Sequence, residues 1–337
     1  MKAPSPLVRR TLLAPLILGV ELALVLLSPL LAALAALLSP LTGGRRPVRL
    51  LALVLAWAGG HLLSVVACWL VHVTRDDRGR YYAVMRWFVG AIAQTALRVG
   101  RVKVTVYDSE RAEAVLTSET PVVVLSIHSG EGDSLLVLDH LLRRHRRRPR
   151  IVMHQALAAD PLIDMIGTQL PNRFIDPRGG DIEVEIGKMS EGLGARDAVV
   201  IFPEGGNFTA ERRRRSIERL LHRGHHEQAE QARGMEHVLA PRPGGALAAL
   251  ESARHADVIF MTHHGFPDGF DEVWRQLPGP TRIDVQLWHV PASELPEGND
   301  ERIRWLFGWW ETLDAWVAVR RLRDGAGDQQ VAGGGRG

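Results

Sequence analysis

The sequence predicts an α/β protein, a mainly parallel sheet flanked by helices, preceded by an N-terminal membrane-embedded helical pair. Three observations carry that reading. Short, continuous apolar runs recur along the chain and fit interior strands buried on both faces. Helical patterns separate them, and strand–helix–strand repetition argues for an α/β layer. Ahead of both, the chain is almost uncharged: only Glu21 carries charge between Arg10 and Arg45, and nothing does between Arg49 and Arg75.

Each of those gaps exceeds the ~20 residues that cross a bilayer core. The first contains Pro29 and Pro40, so a bent or partly interfacial helix is expected, and residues 11–73 read as the embedded pair. The basic start and Ala33-Leu34-Ala35 imitate a secretory signal. Its apolar region would be too long, however, and a second apolar segment follows. Arg45, Arg46 and Arg49 in the connecting loop match the basic residues on the outer flanks, so charge counting leaves the orientation open. Cys68 stands alone, which excludes an internal disulfide and a cysteine-based zinc site. A net charge of +3 favours a phosphate-bearing partner or an anionic membrane surface.

The remaining elements follow in order. Residues 80–98 read as a helix with apolar positions on more than one side. VKVTVY (102–107) alternates strictly, as a half-buried strand does. Interior strands are expected over 121–127, 150–153, 198–202 and 257–262, and RIDVQLWHV (282–290), which alternates again, is expected at an edge. Helices are expected over 132–145, 181–195, 209–233 and 245–254. A last helix over 299–323 has Asn299 as its cap, acidic residues early and arginines late. Trp305, Trp309 and Trp316 fall close to one face, suited to packing on the domain or to the bilayer interface. These elements divide the chain into an anchor (1–78), a main domain (79–323) and a disordered tail (324–337).

The chemistry concentrates in two turns. In SIHSGEGD (126–133) a histidine and an aspartate are five residues apart, directly after the apolar run PVVVL. Five residues of ideal helix turn through about 500°, leaving the two side chains about 140° apart. His128 can therefore meet Asp133 only from a turn before the helix, which Gly130 and Gly132 permit. The histidine would then hang at the C-terminal end of a strand, where open α/β sheets usually bind ligands. Asp133 could hold one ring nitrogen and leave the other as a general base. A satisfied histidine beside a helix-capping aspartate explains the same spacing. The second turn, FPEGG (202–206), again ends an apolar run, with backbone amides that could face an anion. Glu204 there could meet a substrate hydroxyl or position a cationic group.

Together, H-x-x-x-x-D after one strand and F-P-E-G after a later one resemble the glycerolipid acyltransferases, the 1-acylglycerol-3-phosphate and related lysophospholipid enzymes. NRFIDPR (172–178) is similar to a third block of that family, and ADVIFMTHHG (256–265) to its final apolar strand. The stretch from FPEGG to Pro241-Arg242-Pro243-Gly244 is most similar to the lysocardiolipin branch. The likeness spans roughly residues 80–295. It implies a membrane anchor and acyl transfer to a lysophospholipid from acyl-CoA or acyl carrier protein, with no cofactor, no metal and no acyl-enzyme intermediate. By the resemblance His128 is the base, Asp133 its orienter, and Arg178 the partner of the acceptor phosphate. Glu204 and Gly205 would shape the acceptor site, with Gly206, Asn207 and Arg242 beside them.

The chain departs from that pattern in places. Ile127 stands where the family often has Asn, and Gly206-Asn207 replace a common Thr-Arg. Pro177 offsets Arg178, which makes Arg173 a rival for the phosphate, and Glu131 adds a carboxylate beside His128. The implied location is the cell membrane, with the catalytic domain on its cytoplasmic side and membrane lipids as partners.

Two other classes compete. His128, Glu131 and Asp133, with His154 or the His263-His264 pair, could form the metal site of a hydrolase. The runs RRHRRRPR (143–150) and RRRR (212–215) could serve a membrane-anchored nucleic-acid or scaffold protein. Such runs are commonly solvated faces, and no aromatic–basic interleaving supports base stacking, so nucleic acid is not expected as a partner. His263-His264-Gly265 either border the active site or form the polar exit of a strand, and the polar exit is the preferred reading.

Overall fold

A computed structural model describes the chain except for residues 1–3, 43, 75–77, 108, 131, 177–178, 180, 268–271, 273, 276–280 and 334–337; of residues 325–333 only the backbone is described. Seven strands form one sheet: β1 (Val102–Tyr107), β2 (Val122–Ser126), β3 (Arg148–His154), β4 (Arg173–Ile175), β5 (Asp197–Ile201), β6 (Asp257–His264) and β7 (Thr281–Val290). Their order is β1-β7-β6-β2-β5-β3-β4. Every pairing is parallel except β6 with β7. The all-apolar runs of β2 and β5 are buried at every position and occupy the middle of the sheet, as strands covered on both faces must be.

The helices are α1 (Pro6–Leu26), α2 (Ser28–Leu38), α3 (Arg46–Val73), α4 (Arg78–Gly100), α5 (Glu110–Thr117), α6 (Asp133–Asp139), α7 (Pro161–Gln169), α8 (Ile182–Ser190), α9 (Ala210–His222), α10 (His226–Gly234), α11 (Pro243–Ser252) and α12 (Asn299–Gly333). A π-helical turn, His140–Arg144, continues α6. α8, α10, α11 and α12 cover one face of the sheet, closing a core that runs from Leu125 and Phe260 to Trp310. On α12, Trp309 stacks on Phe260 with ring centroids 4.4 Å apart. Trp316 donates from Nε1 to Gln286 Oε1 at 3.0 Å. These tryptophans pack on the domain.

At the N-terminus α3 is long and apolar enough to cross a membrane, and α1 followed by Ser28–Thr42 passes the same test as a pair bent by 64°. The bend falls at Pro29, where a proline ring cannot continue the preceding helix undisturbed. Glu21, the sole charge of the first segment, is buried against His61 of α3, whose Nδ1 lies 2.8 Å from its Oε2. His61 Nε2 reaches Asp160 Oδ1 at 3.1 Å, and Arg9 and Arg10 pair with Asp164 at 2.9 and 3.0 Å. The helical segments are thus tied to the loop before α7 and to α7 itself.

Three expectations need correction. The alternating strand 282–290 is not at an edge, because β1 pairs along its outer side and leaves β7 flanked on both sides. The helix expected over 209–233 is two, since Gly224 at φ +77° turns the chain between α9 and α10. The last helix, expected to end at 323, continues as α12 to Gly333, since extending a helix fixes one residue per added hydrogen bond. Residues 334–337 lie outside the described residues.

Candidate active site

β2 and β5 are neighbours in parallel, with Leu125 opposite Ile201, so the turns that follow them emerge side by side. That register is what brings SIHSGEGD next to FPEGG.

After β2, the Ile127 amide still donates to Met261 O at 3.2 Å, and the chain then turns out of the sheet. Gly132 takes φ +94°, a conformation costly for other residues. Gly130 is required for a different reason: a Cβ there would lie 2.8 Å from Pro267 O and 3.1 Å from Phe266 Cβ. The turn returns His128 over the first residue of α6. Its Nδ1 lies 2.8 Å from Asp133 Oδ2, and the same oxygen accepts from the Ser129 amide at 2.9 Å and the Gly130 amide at 3.3 Å.

Asp133 is 1 % exposed. Burial pushes its carboxyl up, but the His128 hydrogen bond and the nearby imidazoles outweigh that and hold it below the usual carboxylate range. An ionised Asp133 accepts, so Nδ1 of His128 must donate, and Nε2 keeps its lone pair. The His128 side chain retains 23 % exposure and packs beside the Phe202 ring, centroids 4.8 Å apart. A neutral imidazole with one nitrogen fixed and the other open is a positioned general base.

The FPEGG loop is tied to this turn by the Phe208 amide donating to His128 O at 2.9 Å, and to the segment before α11 by the Arg242 amide donating to Pro203 O at 2.9 Å. Gly205 (φ +71°) and Gly206 (φ +154°) need their missing Cβ, which at Gly205 would lie 3.2 Å from the Arg242 guanidinium. Glu204 is buried, and its Oε1 accepts from Trp310 Nε1 at 3.3 Å. Burial raises its pKa well above the usual carboxylate value, which favours the protonated form, and the side chain is a strut between loop and α12.

Outside the loop, Arg212, Arg215, Arg219 and Arg242 line a cavity of about 210 Å³. A larger one, about 660 Å³, shares Arg219 and Arg242 and adds Arg223 and Arg304. Arg215 pairs with Glu211, and Arg212 donates to Asn207 O at 3.0 Å. Among the described residues Arg219 and Arg223 form no ion pair. Burial, then the charges of Arg219, Arg212 and Arg223, lower the pKa of Arg242. Glu183 and Asp300 also line the larger cavity, but the arginines outnumber the carboxylates, and an anion would relieve their mutual repulsion. On the other side of the turn, Gly132, Leu135, Leu136 and Phe266 border an apolar groove of about 180 Å³ that reaches Leu53 of α3.

Not every expected residue gathers here. Arg173 sits on β4, at the sheet edge, paired with Glu185 at 3.1 Å. His154 Nδ1 accepts from the Ala156 amide at 3.0 Å and caps a 3-10 turn. Arg178 and Glu131 lie outside the described residues.

His263 is not the polar exit of its strand. It is fully buried, its Nδ1 lies 2.9 Å from Ser129 Oγ and its Nε2 3.9 Å from Asp133 Oδ2. Burial lowers its pKa to about 4, so it packs neutral beneath the turn that holds His128 and Asp133. The His-His pair closing an apolar run was the available signal, but which of the two pointed inward depended on the pleat. His264 points the other way, to Asp324 at 2.8 Å. Trp310, Arg219 and Arg223 carried no local signal.

A search of curated proteins found no match to the chain, and neither did a search of solved structures. Residues 103–261, from β1 to β6 and including His128, Asp133 and Glu204, match the family model Acyltransferase, which supports the glycerolipid acyltransferase family and acyl transfer as the general reaction.

Proposed function

We propose that this protein is a membrane-bound acyltransferase that moves a fatty acyl group from acyl-CoA or acyl carrier protein to the hydroxyl of a lysophospholipid. The first acceptor to consider is 1-acylglycerol-3-phosphate, giving phosphatidic acid. One observation carries the reading: the turn that holds the His128–Asp133 pair borders an apolar groove at Gly132 and is hydrogen-bonded to the loop whose Gly205 and Gly206 line an arginine-rich cleft, inside the segment that matches the family.

His128 Nε2 takes the proton of the acceptor hydroxyl as its oxygen attacks the thioester carbonyl. Collapse of the tetrahedral adduct breaks the carbon–sulfur bond, and the thiolate leaves with the proton from the imidazolium. Asp133 keeps Nδ1 protonated throughout and stabilises the transient imidazolium. The groove beside Gly132 suits the acyl chain, which enters from the anchor helices. The cleft at Gly205, Gly206 and Asn207, with Arg242, Arg212 and Arg219, suits phosphate, for which guanidinium forks offer paired donors.

The membrane assignment is supported by the apolar residues left exposed on α1–α3, among them Leu16, Leu30, Leu63 and Trp69. The ion pairs from Arg9, Arg10 and His61 hold those helices against the catalytic domain, so the groove opens toward the lipid they enter. A soluble, cytoplasmic acyl donor is the reason to propose the catalytic domain on that side. The lysocardiolipin-like branch is a narrower form of the same proposal.

The test uses full-length protein in detergent, a labelled acyl-CoA and a panel of lysolipids, with products identified by mass spectrometry. Acylation of phosphate-bearing lysolipids, lost in His128→Ala, is expected. Transfer retained by a folded His128→Ala sinks the proposal, and a product only from phosphate-free acceptors sinks the phosphate assignment.

A further inference from the structure

Glu113, His140 and His145 meet at the far end of the helix that Asp133 opens. His140 Nε2 lies 3.1 Å from Glu113 Oε1, and His145 Nε2 lies 3.1 Å from Glu113 Oε2. All three residues offer ligand atoms within 4.8 Å of one another, the convergent His/carboxylate group found among the described residues. Both imidazoles are 7 % exposed.

Three features distinguish this cluster from ordinary histidine–carboxylate pairing. First, Glu113 Oε1 and both Nε2 atoms are buried without a hydrogen bond, because the contacts are close but badly angled for N–H···O geometry. Second, the proton on His145 can be located. Thr117 Oγ1 donates its only hydrogen to Glu113 O at 2.8 Å, so His145 Nδ1, 3.2 Å from that oxygen, must be the donor to it. His145 Nε2 then faces Glu113 Oε2 across 3.1 Å, on the side where a cation would sit. Third, the spacing suits one: metal bonds of about 2.0–2.1 Å at a tetrahedral angle put ligand atoms roughly 3.3 Å apart.

The backbone brings the two histidines together. Residues five apart on an α-helix face different ways. Here the His145 amide closes back to His140 O at 3.3 Å, the i→i+5 bond of the π turn. That extra residue per turn sets the rings beside each other, centroids 4.8 Å apart, and π turns of this kind are frequent at functional sites.

We propose that Glu113, His140 and His145 form a structural site for a first-row divalent cation, zinc fitting this N₂O donor set best. The fourth position faces solvent on the side where Glu113 keeps 20 % exposure. Thr117 fixes the His145 tautomer from behind. Arg144 Nε donates to Glu113 Oε2 at 3.0 Å and orients the carboxylate. The ion would clamp α5 to the end of the helix that carries Asp133. Roughly ten residues at about 1.5 Å each separate it from the catalytic pair, so it takes no part in the reaction.

Full-length protein stripped with a chelator and re-exposed to zinc, then freed of excess metal by gel filtration, provides the test. Wild type is expected to retain one zinc per chain more than Glu113→Gln retains, by elemental analysis. Cobalt in its place is expected to give the visible bands of a four-coordinate site. Thr117→Val, a gentle change that should fold normally, is expected to weaken zinc about 10–100-fold. Equal zinc retention by wild type and a folded Glu113→Gln overturns the assignment, as does a wild type that retains none.

Discussion

The helix that starts at Asp133 carries a five-residue pair at each end, and the chain closes the two pairs by different means. At the start, His128 lies outside the helix and returns to Asp133 through a glycine turn. At the end, His140 and His145 stay on the helix, and a π turn brings them together. The first arrangement leaves an imidazole part exposed, with Nδ1 held by Asp133. The second buries both rings against a carboxylate. The same spacing therefore serves reactivity at one end and cohesion at the other, and the deciding variable is access to solvent.

The sharpest way to break this contrast is at the catalytic end. His128→Ala should lower kcat by about 10²–10⁴-fold, the usual worth of a general base. Its thermal midpoint should stay close to that of wild type, because the ring is part exposed. A kcat within tenfold of wild type would remove the base from His128.

A second measurement concerns the buried support. His263 has its folded pKa lowered to about 4, against 6.5 when exposed. The unfolded chain therefore binds a proton that the folded one refuses, and stability falls as pH drops from about 6.5 to about 4. The loss approaches about 3 kcal/mol at roughly 1.4 kcal/mol per unit. Glu204 has the opposite sign: its raised pKa makes its contribution fade as pH climbs above 4.5. Denaturant titrations across pH should show a shallower acid slope in His263→Gln and a steeper rise with pH in Glu204→Gln. An unchanged acid slope in His263→Gln would show that some other group sets it.

Gly130→Ala probes the turn itself. Its Cβ would meet the Pro267 carbonyl at 2.8 Å, so the loop must shift, at a cost of about 1–3 kcal/mol. Activity should fall with it, since the turn places His128. Circular dichroism melts and kcat measured together would separate the two effects, and a fully active variant would mean that the loop tolerates displacement.

The smallest effect on chemistry is expected at the other end. His145→Ala should cost about 1–3 kcal/mol of stability by stranding Glu113, and leave kcat of the folded fraction within about twofold. A loss of kcat without a loss of stability would show that the two ends are coupled.

The sequence by itself determined a good deal of this protein. Apolar runs at 121–127 and 198–202 specified β2 and β5, because strands covered on both faces have no polar positions to spare. The uncharged N-terminal segments, the glycine turn at His128 and the double glycine after Glu204 were equally legible, each being a local requirement of backbone or solvent. What the fold alone decided was non-local. The alternation of 282–290 looks the same in an edge strand and in one whose outer side is taken by β1. Whether Glu204 faces substrate or Trp310 depends on where α12 lands, more than a hundred residues later. His263 and His264 differ only in which side of the pleat they occupy, and that side follows from strand register. Spacing along the chain stated which groups could meet; burial, set by packing between distant segments, decided which of them stayed reactive.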